Sequence, residues 1–127
     1  MTSCLYFDDD ETPLKLFRET FGDSYDVRTA STLAEARREL AACSPDIVIS
    51  DWSMPEISGV EFLREVARAC PASFRMMLTG RGHVGDVFTE IGTGVIQLFI
   101  TKPWSETDMR ESLERAAADT SGSRPKP

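Results

Sequence analysis

The sequence predicts a doubly wound α/β domain, with five parallel strands in the order 2-1-3-4-5 and helices on both faces of the sheet. Short apolar runs alternate with helix-period segments from residue 4 to about residue 119 of the 127, which is the signature of repeated strand–helix units. Successive runs are about twenty residues apart, enough for right-handed helical crossovers between parallel strands. The first and third runs end in carboxylates, Asp8-Asp9 and Asp51. In the expected order these two strands flank the switch point, where the loops diverge and helix N-termini point into a crevice.

Each element has its own local reason. Residues 4–7 form a short aromatic-rich run that breaks into Asp8-Asp9-Asp10-Glu11. Pro13 suits the first turn of a helix, on which Leu14, Phe17 and Phe21 recur at helical spacing before Gly22. Residues 24–29, around Tyr25 and Val27, are a weaker strand. Thr32 with Glu35 makes a capping box opening a helix to about Ala42, with Leu33, Ala36 and Leu40 on its buried side. Ile47 to Ser50 is a continuous apolar-bounded run suited to a strand covered on both faces, and Pro55 forbids its continuation beyond Asp51.

Ser58 with Glu61 repeats the capping pattern, and Val60, Leu63, Val66 and Ala67 give the third helix its apolar face before Pro71. Residues 75–79 read as the fourth strand. A fourth helix is expected over about residues 83–93 on Val84, Val87, Phe88 and Ile91, weakened by flanking and internal glycines. Residues 95–101 are β-branched and aromatic and end in Lys102-Pro103-Trp104. Ser105 and Asp108 then cap a last helix carrying Met109, Leu113 and Ala116. The domain is thus expected over residues 1–119. Residues 120–127 read as a flexible tail or the start of a linker to an output domain absent from this chain.

Composition narrows the function. A net charge of −7 without a basic stripe argues against direct nucleic-acid binding. Cys4, Cys43 and Cys70 are odd in number, far apart and without metal-type spacing, so they read as reduced thiols of a cytoplasmic protein. The N-terminus has no targeting pattern, and no apolar stretch reaches membrane-spanning length.

The expected topology brings Asp8, Asp9 and Asp51 to one crevice, with Thr79 and Lys102 arriving at the ends of strands four and five. Three close carboxylates repel one another, and a hard divalent cation relieves that repulsion. Mg²⁺ suits the site, since it is commonly held by one or two carboxylates together with a phosphate oxygen. Such a crevice is prepared for phosphoryl transfer. Asp51 could act as nucleophile, Lys102 would neutralise charge on the transferring group, and the Thr79 hydroxyl could donate to a phosphoryl oxygen.

The acidic pair Asp8-Asp9, the stretch Asp51-Trp52-Ser53-Met54-Pro55, the strand end Leu78-Thr79 and the run Phe99-Ile100-Thr101-Lys102-Pro103 occur in an order with a family likeness. Together they resemble the receiver domain of bacterial two-component response regulators, the CheY-like form of the flavodoxin-like fold. The likeness covers residues 3–119. It implies that Asp51 is a phosphoacceptor, charged from a phosphohistidine on a sensor histidine kinase or a histidine phosphotransfer protein. Asp8, Asp9, Asp51 and the Ser53 backbone carbonyl would hold Mg²⁺, and Lys102 would pair with the phosphate. Thr79 and Phe99 would be the switch residues, acting on an output face made by the fourth and last helices and the fifth strand. That face would meet an output domain, a downstream protein or a second copy.

By the same likeness the chain is a signalling domain that does chemistry on itself, in phosphorylation and dephosphorylation, rather than an enzyme for external substrates. The stretch through Lys102-Pro103-Trp104 is similar to receivers of larger regulators, such as activators of hydrogenase genes or cyclic-dinucleotide phosphodiesterases. Gly80 stands where alanine is frequent in the family, and Ser53 and Arg81 occupy positions that tune phosphoryl lifetime there.

Other residues have plainer readings. Asp10 and Glu11 are expected to be solvated, His83 to lie on the surface, and Met76 and Met77 to belong to the core. Trp52 and Trp104 read as packing residues, Trp104 being the better candidate for a partner contact. Two alternatives stand beside the switch. Asp8 to Thr12 also fits the first motif of haloacid-dehalogenase-type phosphatases, which would make Asp8 the nucleophile, but that reading lacks a late acidic pair and leaves Asp51 without a task. The other is a receiver-like interaction module that works without phosphorylation.

Overall fold

The structure is a computed structural model, and it describes residues 1–80 and 93–123, with side chains through residue 119. Its strands are β1 (Ser3–Phe7), β2 (Asp26–Ala30), β3 (Ile47–Asp51), β4 (Phe74–Thr79) and β5 (Leu98–Thr101). All pair in parallel in the order β2-β1-β3-β4-β5, as expected from the sequence. Among the described residues the helices are α1 (Glu11–Phe21), α2 (Leu33–Cys43), α3 (Gly59–Ala69) and the C-terminal α4 (Glu106–Ser123). The helix expected over residues 83–93 lies outside the described residues, apart from Thr93.

Strand alternation sorts the apolar residues into two cores. Cys4, Tyr6, Ile47, Ile49, Met76 and Leu78 face one side of the sheet, where Leu14, Phe17 and Phe21 of α1 meet Met109, Leu113 and Ala116 of α4. Leu5, Phe7, Val48 and Met77 face the other, against Ala36 and Leu40 of α2 and Phe62, Leu63 and Val66 of α3. Central strands covered on both faces are predominantly apolar, which is why β3 and β4 lack a regular polar–apolar alternation, although Ser50, Arg75 and Thr79 are also buried there. Burying each large side chain completely stabilises the fold by about 1.5–3 kcal/mol.

The helix starts follow their local chemistry. Thr32 and Glu35 form the full reciprocal capping box of α2, Ser58 Oγ accepts from the Glu61 N–H, and Ser105 Oγ accepts from the Asp108 N–H at 3.0 Å. Several details extend or differ from the sequence reading. Asp10 is exposed as expected, and beyond that its side chain accepts from the Thr12 N–H and caps α1. On α3 the buried set is Phe62, Leu63 and Val66, while Val60 and Ala67 are half-buried; α3 is turned so that the aromatic ring goes inside. Leu33 is likewise half-buried. The last helix continues through Ser123, past the point where the composition turns polar.

Strand β5 begins at Leu98 rather than Val95, and Arg75 is the reason. Its guanidinium donates to the carbonyls of Gly94 at 3.1 Å and Val95 at 2.6 Å, bending that segment around the side chain. The Gln97 side chain accepts from the Arg75 backbone N–H at 2.8 Å, a donor that a ladder would otherwise satisfy with a carbonyl.

Candidate functional site

Register assembles the site. The pairing of Phe7 with Ser50 sets Asp8 beside Asp51 where β1 and β3 end, and Asp51 stands opposite Leu78, which stands opposite Ile100. The Trp52 N–H donates to the Leu78 carbonyl at 2.8 Å, and the Lys102 N–H to the Thr79 carbonyl at 2.8 Å, carrying the parallel pattern past the strand ends. Lys102 therefore starts just beyond the carboxylates, and its four-carbon stem reaches back. Its ammonium lies 2.8 Å from Asp51 Oδ1 and 3.0 Å from Asp8 Oδ2.

One oxygen each of Asp8, Asp9 and Asp51 lies within 4.8 Å of the others, so these three could hold a metal ion. An all-oxygen donor set is hard and suits Mg²⁺ over softer metals. The three carboxylates differ in access: the Asp8 side chain is 1% exposed, that of Asp51 14%, and Asp9 is open to solvent. Ser53 is exposed on the loop after Asp51.

Asp8 is held from three directions. Its Oδ2 accepts from Lys102 and from the buried Tyr6 hydroxyl at 3.0 Å, and its Oδ1 accepts from the Asp10 N–H at 3.0 Å. A carboxylate so enclosed is poorly placed as the nucleophile of a phosphatase, which the Asp8-to-Thr12 motif had left as an alternative. Burial raises the Asp51 pKa above its ordinary value; the Lys102 hydrogen bond opposes that rise and the Asp8 charge adds to it. For Lys102, burial alone would favour the neutral amine, but the bonds and charges of Asp51 and Asp8 outweigh it and raise the pKa. Burial, followed by the charge and hydrogen bond of Asp8, pushes the Tyr6 phenol up as well, so it remains a donor.

The expected switch pair shares one face of the sheet. Phe99 stands opposite Met77, and Thr79 follows Met77 by two positions. Thr79 is fully buried with its hydroxyl donating to the Gly80 carbonyl at 3.2 Å, and Phe99 is half-buried against the α2–α3 core. Trp104 packs on the other side, 6.2 Å from the Phe17 ring and 6.3 Å from that of Phe21. Met76 and Met77 are core residues. Arg81 and His83 lie outside the described residues.

Two residues at the site escaped the sequence reading. Tyr6 passed for an ordinary strand aromatic, although its spacing of two from Asp8 puts both side chains on one face. Gly59 passed for part of a cap. A Cβ there would lie 2.2 Å from the Asp51 carbonyl oxygen, and the Gly59 N–H donates to the Trp52 carbonyl at 2.9 Å. Only glycine lets α3 begin this close to the strand end.

A 2-1-3-4-5 sheet with a lysine-bridged carboxylate crevice at its switch point defines a class of small α/β domain able to hold a hard cation. The particular family is given by comparison: the model of the response regulator receiver domain matches residues 4–114, and the chain belongs to that family. Receiver domains are phosphorylation-controlled signalling switches of two-component systems rather than classical enzymes. The chain is 34% identical over 91 residues to the chemotaxis protein CheY of Listeria monocytogenes, covering 72% of this chain and 76% of that protein. It is 29% identical to the hydrogenase transcriptional regulatory protein HoxA of Cupriavidus necator, over 88% of this chain but only 23% of that regulator. A receiver domain protein of Clostridium thermocellum superposes with a TM-score of 0.85 at 28% identity, over 93% of this chain and 95% of that one.

Proposed function

We propose that Asp51 is the phosphoacceptor and that the chain switches when it is phosphorylated. The observation that carries this reading is the Lys102 ammonium bridging Asp51 and Asp8 beside the more accessible carboxylate, with Asp9 completing the cluster. The Asp51 carboxylate attacks the phosphorus of a phosphohistidine on a sensor histidine kinase or phosphotransfer protein. The P–N bond breaks as the new P–O bond forms, and the imidazole leaves as the neutral base once it takes a proton. Lys102 is within reach of the incoming oxygens and opposes their charge. Asp8, Asp9, Asp51 and the Ser53 carbonyl are the proposed Mg²⁺ ligands, and bound Mg²⁺ would supply further neutralisation of the phosphoryl oxygens. The Thr79 hydroxyl exchanges the Gly80 carbonyl for a phosphoryl oxygen, and Phe99, on the same face, follows it.

Phe99 and Thr101 line a groove with Asp108, Glu111, Ser112 and Arg115 of α4, which supports placing the output surface along β5 and α4. The partner there is an output domain of a longer regulator, a downstream protein or a second copy. A transcriptional output is suggested by relatives named as transcriptional regulators, among them HoxA, GlrR and KdpE. We place the domain in the cytoplasm, with three free thiols in support.

Incubation with acetyl phosphate and Mg²⁺ followed by intact mass measurement tests the reading. One base-labile phosphoryl adduct is expected in the wild type and none in Asp51→Asn. A folded, Mg²⁺-binding protein that forms no adduct would favour a switch worked by something other than phosphate. Phosphate-ester turnover abolished only by Asp8→Asn would restore the phosphatase reading.

A further inference from the structure

We propose that Tyr6 is a positioning residue for the cation site, whose buried hydroxyl decides which oxygen of Asp8 is left to meet the cation. The inference rests on the reading of Asp8, Asp9 and Asp51 as the Mg²⁺ carboxylates. An ionised carboxylate offers about four lone-pair sites, two on each oxygen. At Asp8 three are occupied: Oδ2 accepts from the Tyr6 hydroxyl and the Lys102 ammonium, each at 3.0 Å, and Oδ1 accepts from the Asp10 N–H at 3.0 Å. The remaining site is on Oδ1. Asp8 is thereby set to bind through one oxygen and is kept from chelating with both.

The two donors on Oδ2 are not equivalent. The Lys102 side chain is 32% exposed and is the group expected to turn toward a phosphoryl oxygen. Tyr6 is fully buried, with its ring edge-on to Phe17 at a centroid distance of 5.2 Å, so packing of the ring keeps the hydroxyl beside Asp8. It holds Oδ2 whether or not Lys102 stays, and Asp8 keeps its orientation through the cycle. Partners that orient a metal's ligands commonly change affinity by about 10–100-fold when removed.

The test is a calorimetric Mg²⁺ titration of wild type and Tyr6→Phe, which keeps the ring in its slot and removes only the hydroxyl. Tyr6→Phe is expected to bind Mg²⁺ about tenfold more weakly or worse. The gain in melting temperature on adding Mg²⁺ should shrink correspondingly. Its rate of labelling by acetyl phosphate should fall at limiting Mg²⁺ and return to the wild-type rate at saturating Mg²⁺. A purely structural role for the hydroxyl would lower the rate at every Mg²⁺ concentration. Affinities within twofold of each other, with wild type binding Mg²⁺, would overturn the role of Tyr6 and leave the cation reading standing. A wild type that binds no Mg²⁺ would overturn both.

Discussion

With the Lys102 ammonium within 3.0 Å of both Asp8 and Asp51, the crevice sets one cation against three carboxylates among the described residues. Lys102→Met leaves Asp8, 1% exposed, without its counter-charge. Breaking a fully buried pair costs more, but the lysine is partly solvated, so the expected loss is about 2 kcal/mol. Urea denaturation in chelator measures it, and no change would mean that solvent already screens the pair. Asp51 behaves in the opposite sense. Its folded pKa lies above the ordinary 3.8, so the folded state holds that proton more tightly than the unfolded chain does. The resulting stability is fully present below the unfolded value and is lost as pH rises through the folded one. At neutral pH the ionised group weakens the fold, and Asp51→Asn is expected to be more stable than wild type in chelator at pH 7. That advantage should close as the pH is lowered toward 3.8. An Asn variant less stable than wild type at pH 7 would contradict the balance of charges described.

At the scale of elements, Gly59 and Arg75 do work that their neighbours in sequence do not announce. Gly59→Ala forces the start of α3 away from the Asp51 carbonyl, 2.2 Å from where the new Cβ would lie. The overpacking is expected to cost about 1–3 kcal/mol. It should also slow labelling by acetyl phosphate, because the loop after Asp51 is displaced with the helix; labelling at the wild-type rate would show that the loop adjusts independently. The buried Arg75 donates to carbonyls of Pro71, Ser73, Gly94 and Val95, and Arg75→Met strands those acceptors. A loss of about 3 kcal/mol in denaturant unfolding is expected, and under about 1 kcal/mol would mean that water replaces the guanidinium.

Capping residues, strand alternation and the acid-ended strands were legible because their causes lie within a few residues of one another. The late start of β5 was not, since it depends on a side chain twenty positions upstream of Val95. The face of α3 was misjudged in part for a similar reason: Phe62 turns inward to meet the Phe7 ring at 4.9 Å, a contact between segments far apart in sequence.

For the whole molecule, the strand order and the crevice followed from the repeated strand–helix pattern, because parallel crossovers of one hand leave few topologies. Asp8, Asp9, Asp51 and Lys102 were found by the same reasoning, each lying at a strand end on one edge of the sheet. Tyr6 was hidden because its contact with Asp8 is made by a hydroxyl at the tip of a core ring, which composition and periodicity count only as apolar. The chain spans 23% of the hydrogenase regulator it matches. The proposed function requires the domain to form an acyl phosphate at one position. The most direct test is borohydride reduction after treatment with acetyl phosphate and Mg²⁺, which converts an aspartyl phosphate into homoserine, followed by peptide mass mapping. Homoserine at position 51, absent when Mg²⁺ is chelated, is the predicted result. Homoserine at position 8 or 9, or at none, would contradict it.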